Sequence, residues 1–121
     1  MDQDQADELF AAFGPVRVKR MFGGHGLYAD GVMFGLVADD EIFLKAGPSN
    51  APDFDAEGLG PFAYDTKTGR HVMTSYRRAP ERALDDPDEM AAWARRSLAA
   101  AKAGKTPKPR SEKRPRKNAA E

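Results

Sequence analysis

The sequence predicts an α+β fold: an antiparallel sheet of about six short strands, ordered α-β4-(short α)-β2-α, trailed by a basic tail. Three observations carry that expectation. Met21 to Ala46 breaks into apolar segments of strand length, divided by turn residues every seven to nine positions, which disfavours one long helix. Near each end of the folded part, apolar residues instead recur at helical spacing. Beyond Gly104 no large apolar residue remains to be buried.

In residues 4–13, Ala6, Leu9, Phe10 and Phe13 fall on one helix face, with Asp2 or Asp4 as cap and Gly14-Pro15 as stop. Val16 to Phe22 alternates apolar and basic and then loses the alternation, which predicts a first strand with a twist or bulge near Arg20. Gly23-Gly24 opens a turn, and His25 to Ala29 follows as a second strand. Asp30-Gly31 is a strong hairpin signal, because both central residues of a type I′ turn need positive φ. Val32 to Ala38 is a near-continuous apolar run, expected in mid-sheet with little of either face in water. Asp39-Asp40 makes a second two-residue connection, and Glu41 to Lys45 returns with alternation.

Gly47 to Gly60 holds a short helix through Phe54 and Glu57 that Ser49 can cap. Pro61 to Asp65 and His71 to Arg77 read as an antiparallel pair around a Thr66–Arg70 loop, and Ala79-Pro80 ends the sheet. Asp86 at the cap, Pro87 at the first helical position and acids in the first turn start the last helix. Its buried stripe is Met90, Trp93, Ala94, Leu98 and Ala101, and Gly104 marks its end. The domain is therefore expected to span residues 1–103. Residues 104–121, rich in Lys, Arg and Pro, are expected to be disordered.

Composition narrows the function classes. There are no cysteines, so disulfides, thiolate zinc sites and thiol nucleophiles are excluded, in keeping with a reducing cytoplasm. No apolar run approaches the roughly 18 residues of a membrane span, and the acidic start is unlike an export signal. The zero net charge hides a segregation: residues 1–101 hold 11 Lys/Arg against 17 Asp/Glu, and residues 102–121 hold 8 against 2. An acidic body carries a basic tail.

The phrase Val18-Lys19-Arg20-Met21-Phe22-Gly23-Gly24-His25-Gly26-Leu27-Tyr28, followed by Asp30-Gly31 and Phe34-Gly35-Leu36, resembles the N-terminal domain of the TfoX/Sxy family. So does Ser75-Tyr76-Arg77-Arg78-Ala79-Pro80, with Leu84-Asp85-Asp86 and Trp93 behind it. The likeness covers about residues 5–102, with Met21, Phe22, Gly23, Gly26, Tyr28, Tyr76, Pro80 and Trp93 as its motif residues. The resemblance implies a secretion-chaperone-like antiparallel domain and a bacterial, cytoplasmic regulator rather than an enzyme. It points to a protein partner of unread identity, such as a transcription factor; the sequence itself leaves monomer and homodimer both open. The chain departs from the competence regulators of that family, which carry a second, helical C-terminal domain where this sequence has a basic tail. It also departs in having Arg77-Arg78 where the family often shows paired aromatics and an acid before the proline.

No residue pattern points to a catalytic, cofactor or metal site. Gly23-Gly24-His25-Gly26 runs into a strand, whereas a phosphate loop needs a helix N-terminus behind its glycines. His25 and His71 are too few for a zinc site and have no nucleophile at a recognisable spacing. Asp39, Asp40 and Glu41 are explained by a polar turn. Met21, Phe22, Tyr28, Phe34 and Phe43 are most simply core, with Phe43 and Tyr28 turned away from their neighbours by alternation.

In the tail, Lys105, Lys108, Arg110, Lys113, Arg114, Arg116 and Lys117 offer phosphate contacts without sequence readout. A solvated tail, or one docked on the acidic body of a neighbouring copy, explains the same charges. Two functions stand open: a non-enzymatic regulatory or interaction module with weak nucleic-acid attraction, and a small ligand-binding domain or enzyme. The second would use a cleft near His25 and His71, with Arg70, Arg77 and Arg78 beside it.

Overall fold

A computed structural model describes residues 1–21 and 23–105. Its elements are α1 (Gln3–Leu9), β1 (Arg17–Met21), β2 (Gly24–Ala29), β3 (Val32–Ala38), β4 (Glu41–Lys45), α2 (Ala51–Ala56), β5 (Pro61–Thr66), β6 (Gly69–Arg78), a 3-10 helix at Glu81–Asp85, and α3 (Pro87–Lys105). The six strands form one open antiparallel sheet in the order β1-β2-β3-β4-β6-β5. The expected α+β class and strand succession are those observed.

Local chemistry sets most boundaries. Asp2 and Gln5 form a capping box at α1: the Asp2 carboxylate accepts from the Gln5 amide at 2.8 Å, and the Gln5 side chain accepts from the Asp2 amide at 2.9 Å. The helix ends at Leu9, earlier than expected, and Phe10 to Phe13 continue as turns. Gln3 reaches across to β1, donating to the Val16 carbonyl at 2.6 Å and accepting from the Val18 amide at 3.0 Å. That edge strand thus has part of its outer rim hydrogen-bonded. Asp30 and Gly31 take φ of 52° and 76°, and Asp39 and Asp40 take 51° and 62°, so both tight turns are left-handed at both central residues.

Four expectations are corrected. β1 pairs regularly with β2 from Arg17↔Tyr28 to Met21↔Gly24, so there is no bulge at Arg20, and the broken alternation only marks the strand's end. The bulge lies in β3, where Leu27 faces Gly35, Tyr28 faces Met33, and Phe34 has no partner across β2. α2 is preceded by Asn50, not Ser49, and the buried Asn50 side chain bonds the loop rather than the helix amides, accepting from the Gly47 amide at 2.7 Å and donating to the Lys45 carbonyl at 2.9 Å. The Thr66–Arg70 loop shrinks to a turn at Lys67-Thr68, because Thr66 and Gly69 already pair. Gly104 lies within α3, which continues to Lys105.

α3 begins as expected, with the Asp86 carboxylate accepting from the Asp88 and Glu89 amides at 3.0 and 3.2 Å. It lies against β3 and β4. Phe10 meets Phe34 edge-on at 5.6 Å, and Phe54 meets Trp93 at 5.0 Å, in one continuous core between sheet and helices. Arg82 ties the 3-10 helix to α2 through Glu57 at 2.6 Å and to α3 through Glu89 at 3.0 Å. Its hydrogen bonds hold the Glu57 carboxyl below its ordinary range. Among the described residues no helix is long and apolar enough to cross a membrane.

Candidate interaction groove

Among the described residues the helices cover one sheet face only. On the other, Leu36, Phe43 and Tyr76 form a second buried cluster, with Met33, Ala38, Phe62 and Met73 packed around it. The β3 bulge decides which side chains arrive there. Val32, Phe34 and Val37 join the helix-side core, while Met33, Leu36 and Ala38 turn the opposite way.

A larger irregularity acts on β6. Pro61 pairs with Arg77, but Phe62 pairs with Met73, so Thr74 to Tyr76 have no partner on β5. Tyr76 instead pairs with Lys45 of β4. The kink carries the rest of the hairpin onto the helix-free face, where the Phe62 and Phe43 rings are 5.1 Å apart. Phe62 stacks on Tyr64 at 5.5 Å and Tyr64 on His71 at 5.6 Å, giving the hairpin an aromatic spine.

Between this hairpin and strands β1 to β3 runs a groove of about 440 Å³, within the size range of ligand sites. Met21, Met33, Met73, Leu36, Phe62 and Tyr64 supply most of its apolar lining. Met21 and Tyr64 are exposed at 39% and 42%, so its mouth is open to solvent. Two glycines shape its floor. A Cβ at Gly24 would lie 2.1 Å from the Val37 carbonyl oxygen, so the backbones of β2 and β3 approach as closely as they do only without a side chain. A Cβ at Gly26 would meet the Tyr28 ring at 2.9 Å and the Met21 and Met33 sulfurs at 3.1 Å, so that vacancy is where the three side chains converge.

The charges are unevenly placed. Lys19 Nζ sits 4.7 Å over the Tyr28 ring and Lys45 Nζ 5.1 Å over the Tyr76 ring. Burial pushes the Tyr76 phenol above its ordinary value, and the nearby Tyr28 adds to the shift. On the hairpin side Arg78 pairs with Glu41 at 3.3 Å and Arg70 with Asp65 at 3.5 Å.

The motif residues of the sequence resemblance divide by role. Met21, Gly26, Tyr28 and Tyr76 gather on the grooved face. Gly23, at φ 64°, makes the β1–β2 turn. Pro80 is buried where the sheet ends, and Trp93 lies in the helix-side core. Phe22 lies outside the described residues, as do Lys108, Arg110, Lys113, Arg114, Arg116, Lys117 and the Lys105 side chain. Phe34 is core as expected, while Phe43 faces away from that core yet is buried by Phe62.

His25 and His71 are not brought together. Two strands, β3 and β4, separate β2 from β6. Alternation sets His25 on the side of Leu27, toward the helices, whereas His71 stacks on Tyr64 on the other face. Of the three arginines, Arg77 binds Asp55 at 2.7 Å and the Leu59 carbonyl at 2.8 Å, while Arg70 and Arg78 line one hollow on the hairpin side. Neither histidine lines the groove, although Gly24 and Met73 from the two segments around them do. Among the described residues no group of three or more His, Asp or Glu is placed to hold a metal ion. The glycine phrase runs into β2, with no helix behind it.

These features define a small α+β domain with one helix-covered sheet face and one grooved face. A family model described as the TfoX N-terminal domain matches residues 8–101, and the chain belongs to that family. Comparison with curated protein sequences gave no match.

The groove lining went largely unread in the sequence. No local pattern marks Met33, Phe62, Tyr64 and Met73 as one surface, although the alternation of Phe62 and Tyr64 along β5 is a readable sign that both share a face.

Proposed function

We propose that the folded domain is a non-enzymatic interaction module that seats a segment of a protein partner in the groove of its helix-free face. The observation that supports this most is an open apolar groove bordered by three methionines, Met21, Met33 and Met73. Methionine side chains are flexible and polarizable, and such surfaces adapt to varied apolar partners. Membership of the TfoX N-terminal domain family favours a regulatory setting, in which the partner would be a transcription factor in a cytoplasmic complex. The basic residues beyond α3 add a weak, sequence-independent attraction to nucleic acid, with the groove left to the protein partner.

Random-peptide display on the immobilised full chain tests the reading. Peptides should be enriched on the native chain and lost on a variant carrying Met21→Arg and Tyr64→Arg, two substitutions at exposed rim positions. Equal enrichment on both chains would refute the groove as the docking surface.

A further inference from the structure

The helix-free face is electrically lopsided, and the imbalance says what kind of segment it fits. Alternation along β1 places Arg17, Lys19 and Met21 on this face. Lys19 and Lys45 flank the two tyrosines at the Met33 end, where a smaller hollow beside the groove is lined by Tyr28, Met33 and Lys45. Among the described residues Arg17, Lys19 and Lys45 form no ion pair, whereas Arg70 and Arg78 at the hairpin side are matched by Asp65 and Glu41. Two carboxylates share a hollow with Arg17 and Lys19 at this end, and both have partners of their own: Asp7 accepts from Gln3 at 2.8 Å, and Asp30 pairs with Lys102 at 2.8 Å.

We infer that the groove's partner is an acidic amphipathic peptide segment, with large apolar side chains in the methionine-lined trough and carboxylates over Lys19 and Lys45. The inference rests on the interaction-module reading and adds the partner's chemistry. Charge complementarity selects among the occupants. The chain's own residues 106–121 are basic and lack any large apolar side chain, so they match neither the trough nor its cationic end. A nucleic-acid strand would need free aromatic faces for its bases. Here Phe62, Tyr64 and His71 stack in a row, Phe43 meets Phe62 at a tilt, and a lysine lies over each of Tyr28 and Tyr76.

The test uses peptides selected on the full native chain, synthesised with a fluorophore and measured by anisotropy. The expected peptides carry at least two of Leu, Met, Phe or Trp together with a net negative charge. A chain with Lys19→Glu and Lys45→Glu should bind them about tenfold more weakly, and raising the salt should narrow that gap. A synthetic peptide of residues 106–121 should not compete. Selected peptides that need Met21 and Tyr64 but show no acidic preference, or ignore the lysine reversals, would overturn this inference and leave the interaction module standing. Peptides indifferent to Met21→Arg and Tyr64→Arg would overturn both, and competition by the tail peptide would make the chain its own ligand and overturn the acidic partner.

Discussion

Gly24→Ala isolates the close approach that forms the end of the groove. The added methyl would stand 2.1 Å from the Val37 carbonyl oxygen, whereas real contacts lie beyond 3.0 Å, so β2 and β3 must separate by about 1 Å at that point. The obstacle is backbone, and no side-chain rotation relieves it. Overpacking of this kind costs about 1–3 kcal/mol. For a domain of this size that corresponds to a melting temperature about 5–20 °C lower. Gly60→Ala supplies the control, since its Cβ meets nothing within 4 Å and its φ is not in the left-handed region. That change should leave stability unaltered or raise it by about 0.4–1 kcal/mol. Urea unfolding followed by Trp93 fluorescence measures both, because Trp93 is the sole tryptophan and is buried in the core. Equal midpoints for the two variants would refute the argument that Gly24 is held by the β2–β3 approach.

Phe54→Ala should cost about 3–5 kcal/mol, because Phe54 is fully buried and packs on Trp93 at 5.0 Å; native Trp93 emission should shift to the red in the same samples. Tyr76 is protonated more firmly in the folded chain than in the unfolded one, so its contribution is intact below pH 10.0 and is lost as pH rises through the folded value. Urea midpoints of Tyr76→Phe should therefore fall less steeply above that pH than those of the native chain. Deleting residues 106–121 should abolish retention on duplex DNA at low salt while leaving the melting temperature within about 2 °C. If the seven cations from Lys105 to Lys117 all engage phosphates, log affinity should fall against log salt with a slope of about −6 before the deletion. Lys102 is left out of that number because Asp30 holds it at 2.8 Å.

What could be read from the sequence was what local chemistry decides. Asp30-Gly31 and Asp39-Asp40 fix two hairpins through a preference at single residues, and Asp86-Pro87 starts a helix the same way. Boundaries failed where a side chain has two ways to satisfy the backbone. Ser49 and Asn50 are both acceptable caps in isolation, and only the fold's proximity of Gly47 and Lys45 lets the Asn50 amide use its donor and its acceptor together. The 3-10 helix at Glu81–Asp85 has no local signature, because it is held by Arg82 reaching Glu89 on the next helix and Glu57, a partner distant in sequence.

The groove was hidden by the same kind of long-range decision. Strict period-two reading assigns Val32, Phe34 and Leu36 to one face, yet the unpaired Phe34 shifts the phase, so that Leu36 joins Met33 on the opposite side. An apolar run such as Val32–Ala38 gives no hint of a bulge, since every residue in it is acceptable on either face. The polar strand β1 shows the contrast: Arg17, Lys19 and Met21 keep their phase, and their face could be assigned at once. The kink in β6 is equally silent in sequence, because Thr74 to Tyr76 are good strand residues whether or not they pair with β5. It follows that the grooved face is set by two registers. Deletion of Phe34 removes the extra residue and leaves plain alternation, so Met33 and Leu36 should stay on the grooved face and peptide selection should survive in any domain that still folds without that core ring.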